Sequence, residues 1–157
     1  MAKTNLIGLD VDKSKKLAEK LNLLLANYQL FYINTRGFHW NIKGEKFFEL
    51  HAKFEELYTD SLVKIDEIAE RILTVGHKPD HTYTVFLDKS SVKEAKNISD
   101  GKKAVGLILD AFEKIIKIER EILKLSEEAN DEGTNSLISD YIMQQEKMVW
   151  MYSSYLE

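Results

Sequence analysis

The longest regular pattern in the chain lies between Asp12 and Trp40, where the sequence reads DKSKKLAEKLNLLLANYQLFYINTRGFHW. Its core-forming residues recur at intervals of three and four, which is the spacing that places side chains on one face of an α-helix. This stripe consists of Leu17, Leu21, Leu24, Tyr28, Phe31, Thr35 and His39. We therefore predict one long helix that turns a single face toward a core.

Three more stretches of the chain have helical spacing. The apolar positions of the second are Phe47, Phe48, Phe54, Leu57, Leu62, Ile65, Ile68 and Ile72. The second helix should end near Gly76. The third should be capped by Ser99 or Asp100 and end before Asn130. The fourth should begin near Thr134 or Asn135. Four long helices predict an all-α fold.

The segment that joins the second and third long helices is too long for a hairpin turn. Residues 75–89 contain Gly76 and Pro79 and are typical of a connection that crosses the molecule. Ser91 and Glu94 have the spacing of a capping box, which predicts a short helix near residues 92–96. Two helical hairpins joined by a long crossover define a four-helix bundle with ferritin-like connectivity.

Length and composition limit the kinds of protein that the chain could be. A chain of 157 residues with 44% hydrophobic residues predicts one domain over residues 1–157, with residues 1–11 as a short N-terminal tail.

Residues 1–10 lack the layout of a secretory signal and no apolar run could span a bilayer, so we expect a cytoplasmic protein. The absence of cysteine excludes disulfides and thiolate ligands, and the formal net charge of −4 disfavours overall attraction to nucleic acid.

Five imidazole and carboxylate side chains lie on or near the inward stripes of the first two helices. They are His39, His51, Glu55, Asp66 and Glu70. This mixture of nitrogen and oxygen donors suits iron or zinc. Taken singly, a buried histidine is more often a hydrogen-bonded core residue than a metal ligand, and each of these carboxylates alone would usually be solvated. The Glu-x-x-His pair of di-iron sites inside a bundle is missing, so we expect no site of that kind.

The spacing of these side chains predicts a metal site shared between two subunits. The fifteen positions from His51 to Asp66 span roughly 22 Å of helix, so one chain cannot bring both to one ion. A second copy that pairs its own second helix antiparallel, with a dyad near Tyr58, would place His51 opposite Asp66. Each of two equivalent sites would then combine imidazoles from one chain with carboxylates from the other.

Two segments resemble the signature of the Dps mini-ferritins. They read HWNIKGEKFFELH at residues 39–51 and DEIAERI at residues 66–72, and the resemblance extends from Leu21 to Trp150. It implies that four residues are ferroxidase ligands, with Glu55 as an additional acidic ligand and Trp40 as an aromatic beside the site. The implied ligands are His39, His51, Asp66 and Glu70.

The resemblance also implies an activity and an assembly. Such proteins form hollow dodecamers, oxidise Fe(II) with hydrogen peroxide or dioxygen, store the ferric mineral and contain no haem. The acidic channels through which iron enters similar shells make Asp131, Glu132 and Asp140 pore candidates, although a capping loop and a solvated face explain them as well. His77 and His81 are interpreted as surface loop residues.

Two alternatives stay open at this stage. The first is a DNA-compacting protein with secondary metal chemistry, for which Lys3, Lys13, Lys15 and Lys16 are the only basic residues near the N-terminus. A solvated helix face explains these lysines better, although repetition in an assembly would strengthen weak contacts. The second is a ferritin or bacterioferritin with haem or a site inside the bundle, which the missing Glu-x-x-His pair disfavours.

Overall fold

The computed structural model describes residues 3–157 and places five helices in that range. They are α1 (Val11–Asn41), α2 (Phe47–Thr74), α3 (Tyr83–Lys89), α4 (Gly101–Glu128) and α5 (Glu132–Leu156). Helix α1 packs against both α2 and α4, α5 pairs with α4, and the short α3 lies on α1. The described residues contain no strand beyond one isolated bridge between Thr4 and Asp10. The predicted all-α bundle of two hairpins and a crossover is confirmed.

The core forms around α1, whose stripe is buried as the sequence predicts. Leu17, Leu21 and Leu24 are inaccessible to solvent, and each such side chain stabilises the fold by roughly 1.5–3 kcal/mol. Phe31 contacts Phe112 of α4 with ring centroids 5.0 Å apart. The same stripe continues to the last turn of α1, where it leads into the histidine region described below. Among the described residues, no helix is both long and apolar enough to cross a bilayer.

Side-chain and glycine caps fix the helix ends. The carboxylate of Asp100 accepts a hydrogen bond from the Lys103 amide at 2.9 Å, which confirms this residue as the cap of α4. Gly76 follows α2 with φ +94°, while the amides of Gly76 and His77 donate to the carbonyls of Leu73 and Ile72. This arrangement is a Schellman motif and confirms the predicted end of the helix.

The short crossover helix lies at Tyr83–Lys89 and not at residues 92–96, so the capping-box prediction is wrong. The hydroxyl of Ser91 does not cap a helix but donates to the side-chain oxygen of Asn27 at 3.0 Å. The amide of Val92 donates to the same oxygen at 3.0 Å. Polar contacts with α1 therefore hold residues 91–92 in a bend, at a place where the local sequence pattern predicted the start of a helix.

Replacing Asn27 by alanine is expected to lower the free energy of unfolding by about 2–3 kcal/mol, because it leaves buried donors without an acceptor. The amide of Val92 is among them. Asn34→Ala is the matched control, since Asn34 binds the same crossover at Ala95 in a more exposed position and should cost less. Urea unfolding at one protein concentration measures both; equal losses would contradict the special role of Asn27.

A buried carboxyl group lies at the centre of the bundle. Glu119 is inaccessible to solvent, and burial raises its pKa from 4.5 to about 8. The side-chain amide of Gln145 donates to one carboxyl oxygen of Glu119 at 3.2 Å and also to the hydroxyl of Tyr28. Lys64 of α2 opposes the rise in the pKa by its positive charge. We therefore expect Glu119 to be mainly protonated in the folded protein at neutral pH.

This raised pKa predicts that the free energy of unfolding falls as pH increases from 4.5 to about 8. The folded state binds the proton more tightly, so its advantage is complete below pH 4.5 and is lost as the carboxyl ionises. Glu119→Gln should remove most of this slope and unfold at higher denaturant concentration at pH 8. Glu113→Gln, an exposed substitution on the same helix, should keep the slope; an unchanged slope in Glu119→Gln would contradict the assignment.

Candidate metal centre

Two histidines meet where α1 ends and α2 begins. His39 lies in the last turn of α1, and His51 lies in the second turn of α2. Their rings are stacked with centroids 3.8 Å apart and an angle of 14° between the planes. We call this pair the histidine half-site.

Each of these imidazoles is oriented by the backbone of the other residue. Nδ1 of His39 lies 2.6 Å from the carbonyl oxygen of His51, and Nδ1 of His51 lies 2.7 Å from the carbonyl oxygen of His39. Because a carbonyl can only accept a hydrogen bond, both Nδ1 atoms must carry the proton. In the neutral rings the lone pair is then on Nε2, which is the protonation pattern of a metal-binding histidine with an outer hydrogen-bond partner.

Aromatic rings surround the histidine half-site. Phe47 stacks on His51 at 5.0 Å between centroids, and Tyr58 contacts His39 edge to face at 5.3 Å. Trp40 is 61% exposed, with the Arg36 guanidinium 4.7 Å from its ring centroid. Arg36 was not among the predicted site residues, although its spacing of four residues from Trp40 places both on one side of α1.

The carboxylates lie further along α2. Asp66 and Glu70 are exposed on neighbouring turns, and we call this pair the acidic half-site. A hydrogen bond shared with Asp66, together with repulsion between the two carboxylates, raises the pKa of Glu70. A bound cation would relieve this repulsion. Glu55 is also exposed and lies one turn beyond His51.

One copy of the chain does not bring the two half-sites together. Residues 3–157 contain no group of three histidine, aspartate or glutamate side chains placed to hold one metal ion. The helix between His51 and Asp66 separates them by roughly 22 Å. The structure thus unites His39 with His51 and leaves the acidic half-site apart.

Helix α2 carries His51 and the acidic half-site, and the side that bears His51 also has unusually exposed apolar side chains. Phe48 is 79% exposed, Leu62 is 51% exposed and Leu73 is 58% exposed. At 100° per residue these three positions fall within about 60° of His51 around the helix axis. Metal-ligand types and water-exposed apolar side chains on one face are typical of a protein contact surface.

The remaining polar candidates lie elsewhere. Asp131 is buried, accepts hydrogen bonds from the Thr134 amide at 3.0 Å and from Arg71 at 2.6 Å, and caps α5. The Asp131 carboxylate is therefore engaged by these contacts. Helix α5 begins at Glu132, two residues before the predicted start. Glu132 and Asp140 are exposed, as are Lys13, Lys15 and Lys16 in the first turns of α1.

The two crossover histidines are separated from the metal candidates. His77 lies 3.2 Å from the hydroxyl of Ser14, and His81 is exposed with Nδ1 3.2 Å from the carbonyl oxygen of Pro79. Neither shares a group with other metal-binding side chains in the described part of the chain. His81 therefore serves below as a control position outside the centre.

Comparison with known proteins identifies the class and then the family. Residues 18–157 match the family model of the ferritin-like domain. A DNA protection during starvation protein of Porphyromonas gingivalis is 40% identical over 94% of this chain and 93% of its own length. The crystal structure of a Dps protein from Vibrio cholerae O1, described as a ferritin-like diiron-carboxylate protein, superposes with a TM-score of 0.97 and is 54% identical, covering 100% of this chain and 98% of that one. The chain belongs to the Dps family.

Proposed function

We propose that the protein is a ferroxidase and iron-storage mini-ferritin whose catalytic centres form between two copies of the chain. The observation that carries the proposal is the separation of the two half-sites: His39 and His51 meet at the start of α2, whereas Asp66 and Glu70 lie roughly 22 Å further along it. Neither half alone offers the ligand set of an iron centre, whereas an antiparallel two-fold contact supplies both halves twice. The exposed Leu62 lies beside the proposed dyad, so this contact would remove an apolar side chain from water.

The proposed ligands divide the chemistry between them. His39 and His51 present oriented Nε2 atoms that suit Fe(II), whereas Asp66, Glu70 and Glu55 supply anionic oxygen that favours the ferric product. One hydrogen peroxide accepts two electrons from two Fe(II) and two protons from the surroundings, which gives two Fe(III) and two waters. The O–O bond is thereby cleaved without release of a hydroxyl radical, and dioxygen is the alternative oxidant.

The wider proposal includes the assembly. Membership of the Dps family supports a homo-dodecamer that is built from the two-fold pairs and stores the ferric mineral in its interior. The proposed assembly is cytoplasmic and contains no haem. Exposed Glu132 and Asp140 remain candidates for the iron path through the shell, whereas Asp131 is engaged by Arg71. Iron is substrate and cargo in this scheme.

The decisive test compares peroxide-driven Fe(II) oxidation by the wild type, His51→Ala and His81→Ala. Loss of an Nε2 ligand at position 51 should slow oxidation at least about 10-fold, because the outer carbonyl partners cannot replace a metal ligand. His81→Ala removes an imidazole outside the centre and should match the wild type. Stopped-flow absorbance of the ferric product measures all three; equal rates for His51→Ala and wild type would exclude this centre.

A further inference from the structure

Arg36 lies beside the histidine half-site and is held there by two aromatic rings. It precedes His39 by three positions, so the two side chains are neighbours on α1. Its guanidinium carbon lies 4.7 Å from the ring centroid of Trp40 and 5.1 Å from that of Tyr32, and Nη1 donates a hydrogen bond to the Tyr32 hydroxyl at 2.8 Å. Tyr58 of α2 contacts the rings of both Tyr32 and His39. These contacts fix a positive charge next to the imidazoles.

Arg36 has no anionic partner in the described part of its own chain. The sequence contains three arginines, of which Arg71 binds Asp131 at 2.6 Å and Arg120 binds Glu146 at 2.9 Å. Arg36 forms no such ion pair within residues 3–157, and its Nε atom is inaccessible to water and has no hydrogen-bond acceptor there. A guanidinium that is partly withdrawn from water is stable only when an anion or an acceptor offsets the lost hydration. An anion from outside the chain would provide this compensation.

The acidic half-site is the matching group without a counter-ion. Its two carboxylates are exposed and form no ion pair among residues 3–157. The nearest basic residues on α2 are Lys64 and Arg71, and both are engaged elsewhere. Nζ of Lys64 lies 2.5 Å from a carboxylate oxygen of Asp60, and Arg71 binds Asp131. One chain therefore carries an unpaired cation at its histidine half-site and two unpaired anions at its acidic half-site.

The proposed two-fold contact brings these unpaired charges together. If the acidic half-site of one chain meets the histidine half-site of the other, it also approaches Arg36, because Arg36 and His39 are neighbours. Without bound iron, such a centre contains the carboxylates of Asp66 and Glu70 from one chain and of Glu55 from the other. Placing three like charges at one interface costs free energy unless an opposite charge offsets them. Arg36 is a cation in the position to do so.

We infer that Arg36 binds the acidic half-site of a second copy and holds it against the imidazoles while no iron is bound. Arg36 is thus a positioning residue, which acts on the carboxylates that would receive iron. The inference rests on the proposed function, because it requires that the two half-sites meet. A planar guanidinium can donate two parallel hydrogen bonds to one carboxylate, which suits this role better than the point charge of a lysine.

Charge exchange in metal-free protein tests the contact. Arg36→Glu and Glu70→Arg alone should each raise the dissociation constant of the two-fold pair about 10-fold or more, because each places like charges opposite each other. Arg36→Glu combined with Glu70→Arg, or with Asp66→Arg, should recover most of this loss. Sedimentation velocity in the presence of EDTA measures the shift. Glu70 lies roughly 28 Å along α2 from His51, so recovery requires a contact between chains.

A neutral set of variants gives the same answer without introducing a new acid beside the aromatic rings. Arg36→Gln and Glu70→Gln should each weaken the pair, and the double variant should be little weaker than either single one, because the same contact is lost in all three. Arg36→Lys keeps the charge and should retain more affinity than Arg36→Gln. Arg120→Gln is the matched control, since its ion pair lies within the chain, and its effect should simply add to that of Glu70→Gln.

The rate of Fe(II) oxidation by His51→Ala separates failure of this contact from failure of the proposed function. If the effects at Arg36 and at both acids add without coupling while His51→Ala oxidises iron slowly, the Arg36 contact is overturned and the proposed function stands. If the effects add and His51→Ala oxidises iron at the wild-type rate, both are overturned. Recovery by charge exchange, together with slow oxidation by His51→Ala, is the result that we expect.

Discussion

Co-expression of His51→Ala and Asp66→Asn chains is expected to restore about a quarter of the wild-type ferroxidase activity, although each variant alone should retain about a tenth or less. If the chains pair at random, about half of the pairs contain one chain of each kind. In such a pair, one site combines the intact histidines of one chain with the intact acids of the other. The second site of that pair lacks both His51 and Asp66.

The matched control is co-expression of His51→Ala with His39→Ala. Both substitutions lie in the histidine half-site, so a mixed pair contains no complete centre and should stay at the rate of the single variants. Initial rates of Fe(II) oxidation, normalised to assembled protein, distinguish the two mixtures. Complete absence of restoration in the first mixture, with mixed pairs demonstrated by two affinity tags, would indicate a centre built within one chain.

Leu62→Glu is expected to abolish the two-fold pair and the oxidation of iron together. In the proposed register Leu62 faces Glu55 of the second copy, so the substitution places a carboxylate opposite a carboxylate and introduces two symmetric repulsions. We expect the dimer dissociation constant to rise roughly 100-fold or more, which corresponds to about 3 kcal/mol. Sedimentation velocity over a concentration series measures this shift.

Val63→Glu is the control for that experiment. Val63 is as exposed as Leu62 but is rotated by about 100° from it around α2, so that it lies about 120° from His51, just beyond Glu70. It therefore adds the same charge at a neighbouring position and should leave the pair intact. Dissociation by Val63→Glu with retention of the pair in Leu62→Glu would place the contact on another face of the helix.

Much of the fold follows from local patterns in the sequence. The intervals in α1 and the cap at Asp100 depend on neighbouring residues along one helix, so they predict the elements well. The short crossover helix could not be placed in this way, because the hydroxyl of Ser91 binds Asn27 of α1, 64 positions away in sequence. A contact of that kind outweighs a local capping pattern and leaves no trace in the spacing.

The candidate site was predictable in its composition but not in its detail. The positions of His39 and His51 around a short turn predict that they meet, and the structure brings them together. Their mutual hydrogen bonds depend on ring rotations and on the approach of two helices, which the order of residues does not encode. For Asp131, the sequence left pore lining and helix capping open; the bond from the Thr134 amide shows that it caps α5, and the contact with Arg71, 60 positions away, is one that no local spacing encodes.

The hydrogen bonds that orient His39 and His51 end on peptide carbonyls, which every amino acid possesses. Substitution of either histidine therefore removes one metal-binding Nε2 atom but leaves the backbone carbonyl that fixes the tautomer of the remaining ring. A protein with a single remaining imidazole should still present that nitrogen in a defined direction. Such a variant offers a vacant coordination position beside a fixed ligand, where an exogenous imidazole from the buffer could take the place of the missing ring.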